Sequence, residues 1–124
     1  MCGVVGIVWA DPTRRTPPGL TARMTQLLAH RGPDGAGMHE EPGVSLGHRR
    51  LSVIDLAAGA QPMSSADGEV WIVFNGEIYN YIELRERLIA GGRVFRTASD
   101  TEVLLQLYEE EGPDLVHQIG RAHV

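Results

Sequence analysis

The feature that most constrains this chain lies at its very start. Residues 3–10 (GVVGIVWA) are an uninterrupted apolar stretch, β-branched and aromatic from Val4 to Trp9, that closes on Asp11-Pro12. Such a run, bounded by turn residues, reads as a buried strand. A strand beginning almost at the first atom predicts a fold that holds its own N-terminus inside. The stretch falls far short of the ~20 apolar residues that span a bilayer, and no basic residue precedes it to make a signal peptide. A soluble, cytoplasmic protein without a membrane partner is therefore expected. The 124 residues leave room for one domain or a piece of a larger one, and 43% hydrophobic with 22% charged composition excludes disorder. Eleven Lys+Arg against 16 Asp+Glu give a net charge of −5 with no block of either sign, which is not the footprint of a nucleic-acid binder.

Further along, Pro17-Pro18-Gly19 breaks the chain, and Leu20, Met24, Leu27 and Leu28 recur at helical spacing until Gly32-Pro33, predicting a helix over about 20–29. Residues 44–53 predict a strand that carries polar groups toward one face. The clearest strand signal is EVWIVF at 69–74, between Asp67-Gly68 and Asn75-Gly76. A second helix follows from Tyr81 to Ala90, with Ile82, Leu84, Leu88 and Ile89 apolar and Gly91-Gly92 as its stop. Residues 94–97 suggest a short extended piece. Ser99-Asp100-Thr101-Glu102 then reads as an N-cap opening a third helix through Glu111, with Val103, Leu104, Leu107 and Tyr108 on its apolar side and Gly112-Pro113 ending it. The RGPDG run at 31–35 lacks the glycine-lysine arrangement of a phosphate loop and reads as a turn.

The chain has one cysteine, Cys2, which excludes an internal disulfide and a multi-cysteine zinc site. A lone cysteine is commonly a small buried hydrophobe. At position two, however, removal of Met1 would give it a free α-amine whose ordinary pKa of ~7.7–8.0 lies close to the thiol's ~8.5. Nucleophile and base would then be one residue. A thiolate attacking an amide builds an oxyanion that needs preorganised donors, and the side-chain amide of Asn75 with the unobstructed N–H of Gly76 is a suitable pair. Asn-Gly is equally a common turn dipeptide. Arg50, Glu77 and Asp100 could pair the carboxylate and ammonium of a free amino acid; alternatively they are a solvated strand arginine, a turn charge and a helix cap. Of Arg49 and Arg50, strand alternation lets only one enter a pocket, and Arg50, directly before Leu51-Ser52, is the choice. His30, His39, His48, His117 and His123 show no metal-ligand spacing, so no metal is assigned.

Read in order, MCGVVGIV at the start, HRGPDG at 30–35, GHRRLSVIDL at 47–56, GAQPM at 59–63, FNGEIYNY at 74–81 and SDTEVLL at 99–105 resemble the N-terminal glutaminase domain, a class II glutamine amidotransferase, of glutamine-hydrolysing asparagine synthetases. The resemblance covers residues 1–117. It implies an α+β fold of the N-terminal-nucleophile (Ntn) hydrolase type, an αββα sandwich of antiparallel sheets. It also implies hydrolysis of glutamine through a Cys2 thioester, with the ammonia passing to a synthetase domain that makes asparagine from aspartate. The roles it implies are Cys2 as nucleophile and base, Asn75 and Gly76 as oxyanion hole, Arg50 on the glutamine α-carboxylate, and Glu77 and Asp100 near its α-amine. No cofactor is expected in this domain. ATP and Mg²⁺ are expected in the synthetase domain, absent here, and a homodimer in the full-length protein. Residues 118–124 (QIGRAHV) do not resemble the family's continuation and are expected to be a non-native tail, so the domain should be partial, unstable and inactive as it stands. Two rivals are a related class II amidotransferase with another ammonia acceptor and a non-catalytic glutamine-binding domain.

Overall fold

The computed structural model describes residues 1–51 and 59–120. They form a small α+β protein with two antiparallel sheets, divided into two compact units: residues 1–62 with 73–75, and residues 63–72 with those from 76 on. Among the described residues, no helix is long and apolar enough to cross a membrane.

In the first unit, β1 (Gly3–Val8), β2 (Gly35–Glu41) and β3 (Val44–Arg50) form one sheet in the order β1-β3-β2, and α1 (Leu20–Leu27) crosses one face. Among the described residues β1 is thus an edge strand. Its Gly3 and Val5 are buried under α1, while Val4 and Val8 are 45% and 80% exposed. Met1 is 73% exposed, so the N-terminus stands at the surface, contrary to the expectation of a buried start, because among the described residues only one face and one edge of β1 are covered. The helix lies so close that its buried residues are Thr21 and Thr25, and Leu27 of the expected apolar stripe faces solvent. Gly47 makes this approach possible: a Cβ there would stand 2.2 Å from Thr25 Oγ1 and 3.3 Å from Val5 Cβ. Gly47→Ala is expected to cost about 1–3 kcal/mol through overpacking, read by urea unfolding; an unchanged midpoint would refute the close-approach account.

β2 is absent from the sequence-based reading, which has only a turn at 31–35. Its segment, GAGMHEE, lacks a clean apolar alternation and is a strand because β3 offers a full row of partners, from Gly35 opposite Arg50 to Glu41 opposite Val44. The strand expected over 44–53 is found from Val44 to Arg50; Ser52 and Val53 lie outside the described residues.

In the second unit, β4 (Met63–Ser64) pairs with β5 (Trp71–Ile72), and α2 (Tyr81–Ala90) and α3 (Asp100–Glu111) pack together, with α3 also against both strands. Of the strand expected over 69–74, Trp71 and Ile72 alone are laddered among the described residues, against a partner two residues long. Residues 94–97 are no strand. α2 ends where its apolar period ends, burying Leu84 and Leu88 at i and i+4. The first half of α3 is internal, with Val103 and Leu107 fully buried and Leu105 2% exposed, while Tyr108, Glu109 and Glu110 face solvent. Ser99 caps it by accepting from the Thr101 N–H at 3.1 Å. Glu102 does not return to the cap, as a reciprocal capping pair would. Instead it accepts from the backbone of Arg96 and Thr97 and from the Thr97 hydroxyl. A 3₁₀ turn (Gly112–His117) follows, and beyond it Asn80 Nδ2 donates to Gln118 O while the Gly120 N–H donates to Asn80 Oδ1.

Candidate active site

The alternation of a strand sends successive side chains to opposite faces, and along β3 this separates the two arginines. Gly47 faces α1, and Arg49 on the same side donates from Nε to Gly32 O at 2.8 Å. His48 and Arg50 take the other face. There they line an open cleft of about 190 Å³ with Asp34, Gly35 and Ala36 at the start of β2, and with Ala60 and Gln61. The Arg50 guanidinium lies over Gly59, where an added Cβ would come within 2.9 Å of Nη2. Gln61 is brought down onto β2 at Gly37: a Cβ at position 37 would stand 2.0 Å from the Gln61 carbonyl oxygen.

Cys2 reaches the same end of the sheet through the β1–β3 ladder. Gly3 pairs with Arg49, so Cys2, one step earlier, stands opposite Arg50. Its Sγ accepts from the Leu51 N–H at 3.4 Å, and Arg31 Nε donates to its carbonyl oxygen, also at 3.4 Å. The thiol is only partly buried, so a small molecule has a path to it. Segment 73–75 also belongs to this unit. Phe74 is held there by side chains: its N–H donates to Gln61 Oε1 at 2.6 Å, and its backbone makes a hydrogen bond with the His48 ring. Asn75, next along, is exposed.

Gly76, Glu77 and Asp100 belong to the second unit. Gly76 and Glu77 are exposed. Asp100 is the first residue of α3, where the unpaired N–H groups and dipole of a helix favour a carboxylate, and its Oδ2 accepts from the Ile78 N–H at 3.2 Å. The residue after Glu77 is therefore tied to Asp100. Among the described residues, no group of three or more His, Cys, Asp or Glu is gathered as a metal site.

Sequence reasoning passed over His48 and Gln61. The available signal was the strand period, which puts position 48 on the same face as position 50. His48 is 2% exposed, and burial, with a smaller contribution from the Arg50 charge, pushes its pKa below the ordinary 6.5 against the opposing hydrogen bond to Phe74. The folded state thus excludes a proton that the unfolded chain accepts. Its contribution to stability is complete above about pH 6.5 and is lost as pH falls through the depressed value. Urea midpoints should therefore fall between about pH 7 and pH 5, and fall less in His48→Asn. An equal decline in both proteins would remove His48 as the cause.

Residues 1–121 match the model of the glutamine amidotransferase domain family. The chain is 52% identical over 110 residues to asparagine synthetase [glutamine-hydrolyzing] 1 of Bacillus subtilis, a match covering 87% of this chain and 17% of that protein. It is 40% identical over 119 residues to asparagine synthetase [glutamine-hydrolyzing] 1 of Arabidopsis thaliana and 38% identical over 119 residues to asparagine synthetase [glutamine-hydrolyzing] of Sandersonia aurantiaca; each match covers 96% of this chain, against 20% and 22% of those proteins. The chain spans about a fifth of the length of these relatives.

Proposed function

The chain belongs to the glutamine amidotransferase domain family, and from that premise we propose that it hydrolyses glutamine at Cys2 to glutamate and ammonia. The observation that carries this reading is the β1–β3 register, which stands Cys2 opposite Arg50, beside the cleft that Arg50 lines. With Met1 removed, for which its exposure gives access, the Cys2 α-amine takes the thiol proton and Sγ bonds to the side-chain carbonyl carbon of glutamine. The oxyanion accepts from the Asn75 side-chain amide and the Gly76 N–H. The C–N bond breaks as the proton passes to the leaving nitrogen, and ammonia departs from a Cys2 thioester. Water, deprotonated by the same amine, then releases glutamate and restores the thiol. Arg50 forks the α-carboxylate, while Glu77 and Asp100 attract the α-ammonium.

The fold that accompanies this reading is the αββα sandwich of Ntn hydrolases, supported by an antiparallel sheet whose first strand starts next to the nucleophile. In the whole protein the ammonia would serve ATP-dependent asparagine formation from aspartate, in the cytoplasm and as a homodimer. ATP and Mg²⁺ would be held by a synthetase domain outside this chain. The test is to supply glutamine to the protein in its full natural length and measure glutamate, then asparagine with aspartate and ATP added. Bound glutamine without glutamate release would make the domain a binder; glutamate without asparagine would point to another ammonia acceptor. For Arg50→Ala, KM for glutamine should rise by roughly 10–100-fold with kcat less affected, because an unpaired carboxylate weakens ground-state and transition-state binding alike. An unchanged KM would sink the assignment.

A further inference from the structure

We propose that His48 and Gln61 are positioning residues that clamp the Phe74 peptide and thereby fix Asn75 beside the cleft. The inference rests on the reading of Asn75 as an oxyanion donor. It starts from the ending of β5: the ladder with β4 stops at Ile72, and among the described residues segment 73–75 is held by side chains rather than by a strand ladder. A backbone N–H or C=O withdrawn from water needs a partner all the same, and at part-buried Phe74 both groups find side chains. The N–H donates to Gln61 Oε1 at 2.6 Å. The carbonyl accepts from His48, whose bond to it favours the protonated ring nitrogen; since Nε2 is buried without a partner, Nδ1 is the donor.

Both clamping side chains come from places packed on the sheet. His48 sits on the central strand β3, 2% exposed, and Gln61 is pressed on Gly37 of β2. Both line the cleft shared with Arg50. One face of the sheet thus supplies the arginine and the His48 anchor, and the segment packed on that face supplies Gln61. An oxyanion donor works only when it is already aimed at the place where charge develops, so freedom at position 74 would be felt in the transition state rather than in substrate binding.

The test uses the protein in its full natural length, with rates normalised to alkylatable Cys2 thiol. His48→Leu removes the donor, and kcat for glutamine hydrolysis should fall by roughly 10–100-fold with KM almost unchanged, less than the ~10²–10³-fold of losing an oxyanion donor outright. His48→Asn, whose amide nitrogen overlies Nδ1, should restore most of the rate. If the clamp acts through Asn75, adding His48→Leu to Asn75→Ala should cost little more than Asn75→Ala alone. A fast His48→Leu enzyme beside a slow Asn75→Ala enzyme would overturn the clamp alone, as would fully additive losses or a change confined to KM. A fast Asn75→Ala enzyme would overturn the oxyanion reading itself. Should His48→Leu fail to fold, Gln61→Leu removes the other anchor and is held to the same expectation.

Discussion

Replacing Cys2 by alanine is expected to abolish glutamine hydrolysis, a loss of at least ~10⁴-fold in kcat, since removing a nucleophile leaves only what binding and the oxyanion hole supply. Glutamine should still bind, because the proposed contacts of Arg50 with the carboxylate are untouched, and calorimetric titration of the variant would show it. The same proposal makes a second demand that an ordinary cysteine hydrolase would not meet. If the α-amine of Cys2 is the base, any residue retained ahead of it converts that amine to an amide and removes the base without touching the thiol. A form that keeps Met1, or carries an N-terminal tag, should fold normally, react with alkylating agents at Cys2 and release almost no glutamate. Mass spectrometry of active protein should accordingly find Met1 absent. Full turnover by the Met1-retaining form would refute the amine as base, and turnover by Cys2→Ala would refute the nucleophile.

The largest effect on stability is expected at Glu102. This carboxylate is 1% exposed in the first turn of α3, and it accepts from the Arg96 N–H at 2.8 Å, the Thr97 N–H at 2.6 Å and the Thr97 hydroxyl at 2.5 Å. Glu102→Ala takes the acceptor from those three part-buried donors and opens a space beside the fully buried Val103. Leaving a donor that is withdrawn from water without its acceptor costs about 1–3 kcal/mol, so the three together are a large share of the ~5–15 kcal/mol that holds a domain together. Glu102→Gln should cost less, since its amide oxygen can keep one or two of the bonds while its NH₂ meets a donor. Urea unfolding measures both, and a loss below about 1 kcal/mol for the alanine variant would show that the network contributes little. Because Asp100, two residues earlier, holds the Ile78 N–H, loosening this helix start should also disturb the segment that carries Glu77.

What the amino-acid sequence determined by itself is whatever a short stretch decides locally. α2 runs from Tyr81 to Ala90 as its apolar period and glycine stop require, and α3 begins after Ser99 because a hydroxyl, a helix N-terminus and an acidic first turn coincide there. The wording of its motifs likewise carried the family, which residues 1–121 match. The tertiary structure alone decided the rest. GAGMHEE is a strand only because β3 lies beside it, and α1 turns its threonines to the sheet only because Gly47 lets it come close. Val94 to Thr97 and most of the EVWIVF run, strand-like in composition, join no ladder among the described residues. In the candidate site, alternation said that Arg49 and Arg50 must part, and the position of α1 decided which faces the cleft. The clamp on Phe74 was beyond sequence reasoning altogether. Its two hydrogen bonds join side chains to a peptide far away in the chain, and hydrogen-bonding capacity, unlike helical period, says nothing of a partner until packing has brought one within reach.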